Sequence, residues 1–393
     1  MLSKIWTAHR VMILDSELLA VDHITKQETM IRIMTCSGWM RRLWTFQEGV
    51  FAHQRAYVYF KNKAVRVPYI VDRLSVEHNR GNFSLFGEPI AYDAYRHWLS
   101  IFRILQESLS RYKRFENSLL RAEKFDQSYR MSGIWITVIG RTTSKETDRP
   151  VIMASLLGLD TAEILAVPVK PLLKDTGEVV PGGPAERMRK LYEMMPYFPQ
   201  SIIFHEGERF PEQGWRWAVT SCKLSARVSA TRLHGAPGRI LQPYGLSVDF
   251  PGLVVLRQDI SVMEASPSSN VIVKPYPILR IGDAALDHST YVYIDLRPIG
   301  FVEVYGNSKY GIGLLLDKAD TGAQWCEQIF GRGFQQTREL AIVSIYKEEQ
   351  GTLYSRFEGH VTARRRNHPP GGWIWGDCPR VAFVDGQQGW WVG

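Results

Sequence analysis

The front of the chain shows two short strand-like runs on either side of helical periodicity. Residues 11–15 (VMILD) are apolar up to a closing acid, and residues 56–60 (AYVYF) are β-branched or aromatic, so both runs predict strands. Apolar residues at three- and four-residue spacing predict helices over 28–35 and 39–52, with Ser37 as the candidate N-cap of the second helix. Strand, helix, strand is the order found in a parallel α/β sheet.

The middle of the chain has mostly helical spacing. Apolar positions predict a helix over residues 89–131, and the run GIWITVIGRTTS at 133–144 predicts a strand that ends in a cluster of hydroxyls. Asp148, followed by a proline and an apolar run, marks the start of another helix. A short helix between prolines is predicted at 184–196.

From Ser201 onward, strand-like runs dominate, and Gly, Pro and Asp separate them at the spacing of an all-β sheet or sandwich. The predicted strands lie at 201–204, 252–260, 270–281, 290–299, 311–318, 339–347 and 380–386. We therefore predict an α+β protein. Its regions are a partial α/β segment at 1–65, a mainly helical region at 66–200 and a β-rich domain at 201–393.

Composition narrows the class of protein. The 48 basic and 40 acidic residues give a net charge of +8, but they are mixed along the chain. The densest basic run, 364–366, is predicted to be a solvated loop, so nucleic-acid binding is not expected. Four widely spaced cysteines indicate neither a zinc site nor a disulfide framework. No apolar run has the length of a signal-peptide core or a membrane helix, which predicts a cytoplasmic protein without a membrane partner.

The common catalytic signatures do not occur in the sequence. There is no HExxH, no Walker A loop and no GxSxG, and the two Gly-x-Gly sequences lack the third glycine of a dinucleotide fingerprint. His205 and His360 stand alone, and we expect surface or structural roles for both. No metal site and no bound cofactor are predicted.

One stretch, SGWMRRLWTFQEGVF at 37–51, combines an apolar helix with polar residues that need an explanation. On a helical wheel Gln47 falls inside the apolar arc, and Glu48 falls at its edge beside Trp44. A buried amide must be paired, so we expect Gln47 to bond to backbone. A carboxylate at an apolar border has a raised pKa unless a cation offsets the effect. We expect these side chains to be buried: Trp39, Leu43, Phe46 and Val50.

This stretch resembles the last conserved block of the fungal heterokaryon-incompatibility (HET) domain, which reads roughly S-x-W-x-x-R-x-W-T-x-Q-E. The matching residues are Ser37, Trp39, Arg42, Trp44, Thr45, Gln47 and Glu48. The segment at 4–18 is similar to the preceding block, in which a helix end leads to a strand and an acid, here Asp15. Weaker resemblance to proteins of this family extends to about residue 220. It implies a role in fungal self/nonself recognition, vegetative incompatibility and regulated cell death.

HET domains are similar to TIR domains, which have a flavodoxin-like three-layer fold. Some TIR domains cleave NAD with a glutamate four residues after a tryptophan, on a helix behind the third strand. Trp44 and Glu48 have that spacing, and residues 11–15 would be that strand. The resemblance thus implies Glu48 as catalytic carboxylate, stabilising an oxocarbenium-like ribosyl cation. NAD would be the substrate. Asp15, Ser37, Trp39, Arg42, Trp44 and Gln47 would form the motif and its pocket.

The chain departs from the family at its start, because a complete HET domain begins well before its third strand. We therefore expect an N-terminally truncated, non-catalytic module. Its partners would be other proteins of the incompatibility pathway or further copies of itself. Glu48 would then lie at a solvent-facing edge or pair with an arginine, with no nucleotide-sized pocket in front of it. Two alternatives stay open: an active NAD glycohydrolase, and a β-rich interaction protein in which 201–393 carries the function.

Overall fold

The structure is a computed structural model with two compact units, and each is described by itself. One unit comprises Met1–Met194 and Ser221–Ala226, and the other Met195–Thr220 and Arg227–Gly393. The residues described are 8–22, 38–52, 55–67, 123–139, 141–222, 233, 237–250, 252–257, 270–275, 291–295, 308–316, 338–366, 380–384 and 389–393. Within these ranges no helix has both the length and the apolar character required to cross a membrane.

The first unit mixes helices with short strands. Its strands are β1 (Val11–Ile13), β2 (Ala56–Tyr59), β3 (Ala64–Arg66), β4 (Leu172–Leu173) and β5 (Val179–Val180). Its helices are α1 (Ser16–Leu19), α2 (Gly38–Arg41), α3 (Leu43–Ala52), α4 (Glu123–Ile139), α5 (Asp148–Leu157), α6 (Thr161–Leu165) and α7 (Pro184–Glu193). The helix predicted at 28–35 and most of the one predicted at 89–131 lie outside the described residues.

The predicted parallel pair of strands is confirmed. β1 and β2 pair in parallel, with Val11 opposite Ala56 and Ile13 opposite Val58, and β3 adds antiparallel to β2. β1 is shorter than predicted, because Asp15 ends the extended segment by capping the next helix. The α/β order of this front segment is therefore present, and the predicted domain boundary at residue 65 stays a prediction.

The largest secondary-structure error concerns residues 133–144. They were predicted as a strand, but α4 continues through them to Ile139. Met131, Trp135 and Val138 are fully buried, and their spacing places them on one side of a helix. The β-branched residues of this run favour a strand, whereas its apolar spacing favours a helix. The helix forms because tertiary burial overrides intrinsic propensity. The predicted helices at α5 and α7 are confirmed.

The second unit is built on a large mixed sheet. Its elements are β6 (Tyr197–Pro199), a 3-10 helix (Gln200–Phe204), β7 (Pro237–Leu241), β8 (Gly245–Val248), β9 (Gly252–Leu256), β10 (Asn270–Pro275), β11 (Tyr291–Asp295), β12 (Tyr310–Leu316), β13 (Arg338–Glu349), β14 (Thr352–Arg366), β15 (Arg380–Val384) and β16 (Trp390–Val392). The strand order is β11-β10-β15-β9-β12-β13-β14-β16-β8-β7-β6. β11 also pairs with β14, which closes seven of these strands into a ring.

Most of the predicted strands of this unit are confirmed, and two predictions are wrong. Residues 201–204 form part of the 3-10 helix instead of a strand. The arginines at 364–366 were assigned to a loop, yet they continue β14 and pair with β11. β14 itself was missed, because its polar and charged residues hide the alternation that marks a strand.

A half-buried arginine joins the 3-10 helix to the sheet of this unit. The guanidinium of Arg209 donates to backbone carbonyls that include those of Ile203 (3.2 Å) and Trp217, and it lies 4.5 Å from the ring centre of Phe357. Nε2 of His360 donates to the same Ile203 carbonyl at 2.7 Å. Burial, and then the positive charge of Arg209, lower the pKa of His360 to about 4. Of the two roles expected for His360, surface or structural, the structure shows the structural one.

We predict that acid weakens the second unit through His360. A histidine with a pKa of about 6.5 when unfolded and about 4 when folded favours the folded state above pH 6.5, and this contribution is lost as the pH falls towards 4. His360→Gln should remove up to about 3 kcal/mol of that pH dependence in denaturant melts. The exposed histidine His9, changed to Gln, is the matched control. Equal acid sensitivity in His360→Gln and in the wild type would contradict the assignment.

Candidate functional site

A cavity of about 760 Å³ lies in the first unit, beside β1 and α3. Its lining residues are Val11, Met12, Ile13, Leu14, Trp39, Arg42, Leu43, Trp44, Thr45, Glu48, Gly49, Ala52, Thr142, Thr143 and Ser144. Clefts of several hundred cubic ångströms are the usual sites for small molecules. Three parts of the chain therefore meet at a space large enough for a nucleotide.

Helix α3 presents one face to this cavity. Thr45, Glu48, Gly49 and Ala52 are spaced by three and four residues, which places them on a single stripe of the helix. The Thr45 hydroxyl donates to the carbonyls of Trp39 and Arg42, with 2.8 Å to the latter, so its polar group is satisfied inside the unit. The carboxylate of Glu48 is the acidic group on this stripe.

A neighbouring face of α3 forms side-chain hydrogen bonds with α5. The indole N–H of Trp44 donates to Oδ2 of Asp148 at 2.8 Å, and the amide of Gln47 donates to the hydroxyl of Ser155. Asp148 and Ser155 are two helical turns apart on α5, and Trp44 and Gln47 are about one turn apart on α3. The expectation that Gln47 bonds to backbone is thus wrong. The partner of Gln47 is the side chain of Ser155 on α5.

The start of α3 is fixed by the loop before α5. Arg42 forms a parallel bridge with Thr142, and the backbone N–H of Leu43 donates to the Thr142 carbonyl at 3.0 Å. Nη1 of Arg141 donates to the Arg42 carbonyl at 3.1 Å. Because Arg42 pairs with Thr142, it does not belong to a helix. The single helix predicted over 39–52 is therefore two helices, α2 and α3.

Asp15 joins β1 to the start of the motif. Its Oδ1 accepts from the backbone N–H of Glu17 at 3.0 Å and so caps α1, while its Oδ2 accepts from the N–H of Trp39 at 2.7 Å. The carboxylate is buried, and it holds the ends of two helical segments together. Asp15 is thus a structural residue beside the cavity. Ser37, the predicted N-cap of the motif helix, lies outside the described residues.

Gly49 allows the indole of Trp39 to pack against α3. A Cβ at Gly49 would lie 2.8 Å from a ring carbon of Trp39, a distance that real Cβ atoms do not tolerate. Any larger residue at this position must therefore push the indole away from its place in the cavity wall. The glycine that follows the glutamate in the motif has a packing role.

Glu48 is half-buried in the cavity wall, and its electrostatic environment is mixed. Burial raises the pKa of Glu48 above its ordinary value of 4.5, and the positive charge of Arg42 opposes this shift in the pKa. Both residues line the cavity. The carboxylate is thus held where water solvates it incompletely and where a cationic ligand would gain the most from it.

The structure agrees with only part of the predicted burial. Leu43 is 1% exposed, as predicted, whereas Trp39 is only half-buried. Trp44, which is not among the residues predicted to be buried, is 42% exposed. The side chains of Phe46 and Val50 lie outside the described residues. The prediction made for a partial domain, that no nucleotide-sized pocket lies in front of Glu48, is wrong.

The part of the site that sequence reasoning missed is the loop at residues 142–144. Its hydroxyl cluster was visible in the sequence, but it lies about a hundred residues beyond the motif. A strand prediction for the preceding run also placed it at the end of the wrong element. The contacts of Thr142 with Arg42 and Leu43 bring it to the cavity that Glu48 also lines.

Within the described ranges, no group of three or more histidines, cysteines or carboxylates has the arrangement needed to hold a metal ion. Comparisons with protein-family models, with curated proteins and with solved structures found no match to this chain. The geometry and the motif at 37–48 are therefore the grounds on which a function is proposed.

We predict that Trp44 contributes to stability mainly through its hydrogen bond. Because the indole is 42% exposed, Trp44→Phe should cost about 1 kcal/mol, well below the 3–5 kcal/mol of a truncated core aromatic. In denaturant melts, Trp44→Phe and Asp148→Ala should be non-additive by at least about 0.5 kcal/mol. Additive losses would mean that the two side chains do not interact in solution.

Proposed function

We propose that the cavity at Glu48 binds a nucleotide and that Glu48 cleaves an N-glycosidic bond to a cationic leaving group, as in NAD. We propose further that the chain belongs to the HET family and acts in the cytoplasm, in self/nonself recognition and regulated cell death. Its partners would be other proteins of that pathway or further copies of the chain. The family part of this proposal rests on the motif shared by Trp39, Arg42, Trp44, Gln47 and Glu48.

The observation that carries the catalytic proposal is the position of Glu48 in a cavity of about 760 Å³. A carboxylate whose task is structural needs a partner and no free space in front of it. Glu48 instead has a raised pKa that burial produces, and it shares the cavity wall with Trp39 and Trp44. Partly desolvated ionisable groups in clefts are typical of functional sites.

The reaction follows from the chemistry of such a carboxylate. As the bond between ribose C1′ and the pyridinium nitrogen breaks, its electron pair leaves with nicotinamide, and positive charge develops on the ribose. The ionised Glu48 would stabilise that charge more strongly than a solvated carboxylate does. Water then adds at C1′ and gives up a proton. The products are ADP-ribose, nicotinamide and H⁺, so atoms and charge balance without a redox partner.

The second candidate is a non-catalytic module of the same family. It is favoured by the small sheet of the first unit, in which β1 to β3 are the described strands around the motif. Positioning contributes several kcal/mol to enzymatic rates, and a site with incomplete walls loses most of that contribution. In this case the cavity would bind a ligand without turning it over.

The catalytic proposal predicts NAD consumption that depends on Glu48. Purified wild-type protein should release nicotinamide from NAD, and Glu48→Gln should reduce kcat by at least about a hundredfold, because the uncharged amide cannot stabilise the ribosyl cation. Chromatographic detection of nicotinamide and ADP-ribose is the measurement. The matched control is Glu208→Gln, an exposed glutamate in the second unit.

Two results would count against this prediction in different ways. Wild-type protein that consumes no NAD would favour the non-catalytic module. NAD consumption that survives Glu48→Gln would assign the activity to another residue or to a contaminant.

The raised pKa of Glu48 also predicts a stability effect. Because the folded state raises this pKa, the ionised carboxylate destabilises the first unit above the folded pKa, and protonation relieves this as the pH falls towards 4.5. Glu48→Gln should therefore raise the thermal midpoint at pH 7 and lose that advantage below pH 4.5. A lower midpoint for Glu48→Gln at pH 7 would show that the charge of Glu48 stabilises the fold.

A further inference from the structure

The cavity wall carries a cation, Arg42, as well as the acidic Glu48. Arg42 is exposed in the cavity wall, and no carboxylate among the described residues forms a salt bridge with it. The positive charge of Arg42 opposes the rise in the pKa of Glu48, and no salt bridge joins the two among the described residues. The guanidinium thus keeps its donors for a molecule that enters the cavity.

The loop that pairs with Arg42 carries hydroxyl groups on the same wall. Thr142, Thr143 and Ser144 follow one another there, and the bridge between Arg42 and Thr142 fixes the loop beside the backbone of Arg42. The hydroxyl of Thr143 accepts from the N–H of Lys145 at 3.1 Å and donates to the Lys145 carbonyl at 3.2 Å. It therefore stabilises a tight turn, and its proton is used within that turn. Ser144 is exposed at the turn.

A second guanidinium lies behind this wall. Arg141 is buried, and its Nη1 donates to the carbonyl of Arg42 at 3.1 Å. Burial lowers the pKa of Arg141 to about 9, which still leaves it charged at neutral pH. A charge held in a poorly solvated position acts at longer range than a surface charge does, so Arg141 adds positive potential to the side of the cavity near Arg42.

We propose that Arg42 and the turn at residues 142–144 form an anion subsite that binds the phosphate groups of the ligand. This inference rests on the proposed function and makes it more specific: the ligand is a phosphorylated nucleoside, with its anionic end at Arg42 and its cationic ring at Glu48. Arginine donors and hydroxyls are the groups that bind phosphate oxygens in proteins. A neutral nucleoside leaves this subsite empty.

The subsite also assigns a role to a segment beyond the HET-like motif. Residues 142–144 belong to the loop before α5, and that loop would select for phosphorylated ligands while α3 supplies the reacting carboxylate. Binding and chemistry are thus divided between two segments that the backbone bond between Leu43 and Thr142 holds together.

The test is a comparison of two probes by isothermal titration calorimetry. ADP-ribose carries two phosphates but no nicotinamide leaving group. Adenosine carries no phosphate and no nicotinamide. We expect wild-type protein to bind ADP-ribose more tightly at low salt than at high salt. Arg42→Gln should weaken ADP-ribose binding about tenfold or more and leave adenosine binding within about twofold. Ser144→Ala should also weaken ADP-ribose binding. The matched control is Arg239→Gln, an exposed arginine of the second unit.

Each other outcome overturns the subsite. Unchanged ADP-ribose binding by Arg42→Gln, an equal loss for both probes, or no binding of ADP-ribose by the wild type would all do so. NAD turnover measured on the same preparations separates this proposal from the catalytic one. Glu48-dependent turnover with an unchanged KM in Arg42→Gln removes the subsite alone. Arg42-dependent ADP-ribose binding without turnover removes the catalytic proposal alone.

Discussion

The attachment of helix α3 to the segment at residues 141–155 is the interaction on which the site depends. Trp44 bonds to Asp148, Gln47 bonds to Ser155, and the backbone at the start of α3 pairs with the loop before α5. Each hydrogen bond contributes on the order of 1 kcal/mol, but together they fix the rotation of α3 about its axis. That rotation decides which residues of the motif face α5 and which face the cavity. Glu48 points into the cavity because its neighbours are held elsewhere.

This arrangement separates the two polar residues that follow each other in the motif. Gln47 is 1% exposed, and it joins two helices through a side-chain bond. Glu48, one position later, is turned by about 100° and lines the cavity. Gln47 and Glu48 thus interrupt the apolar surface of the helix for different reasons. The amide stabilises packing between helices, whereas the carboxylate has a raised pKa and so opposes stability at neutral pH. Retaining a destabilising charge in a cleft is what a functional role explains.

The sequence was sufficient where the pattern was local. The parallel pairing of β1 and β2 followed from two short apolar runs around a helical segment, and the motif identified Glu48 without any coordinates. The sequence was insufficient where distant segments decide the outcome. The second half of α4, from residue 133, is predicted as a strand because its β-branched residues obscure its helical spacing. The break at Arg42 and the loop at 142–144 depend on a bridge between residues a hundred positions apart, which periodicity does not encode.

The central claim is that Glu48 and the loop at 142–144 form opposite ends of one ligand site. A crystal structure of the Glu48→Gln protein with ADP-ribose tests it most directly. The account predicts density inside the cavity, with the diphosphate against Arg42 and the turn at 142–144 and the distal ribose beside residue 48. Density for the ligand at another surface, or the diphosphate beside residue 48 with Arg42 uninvolved, would contradict it.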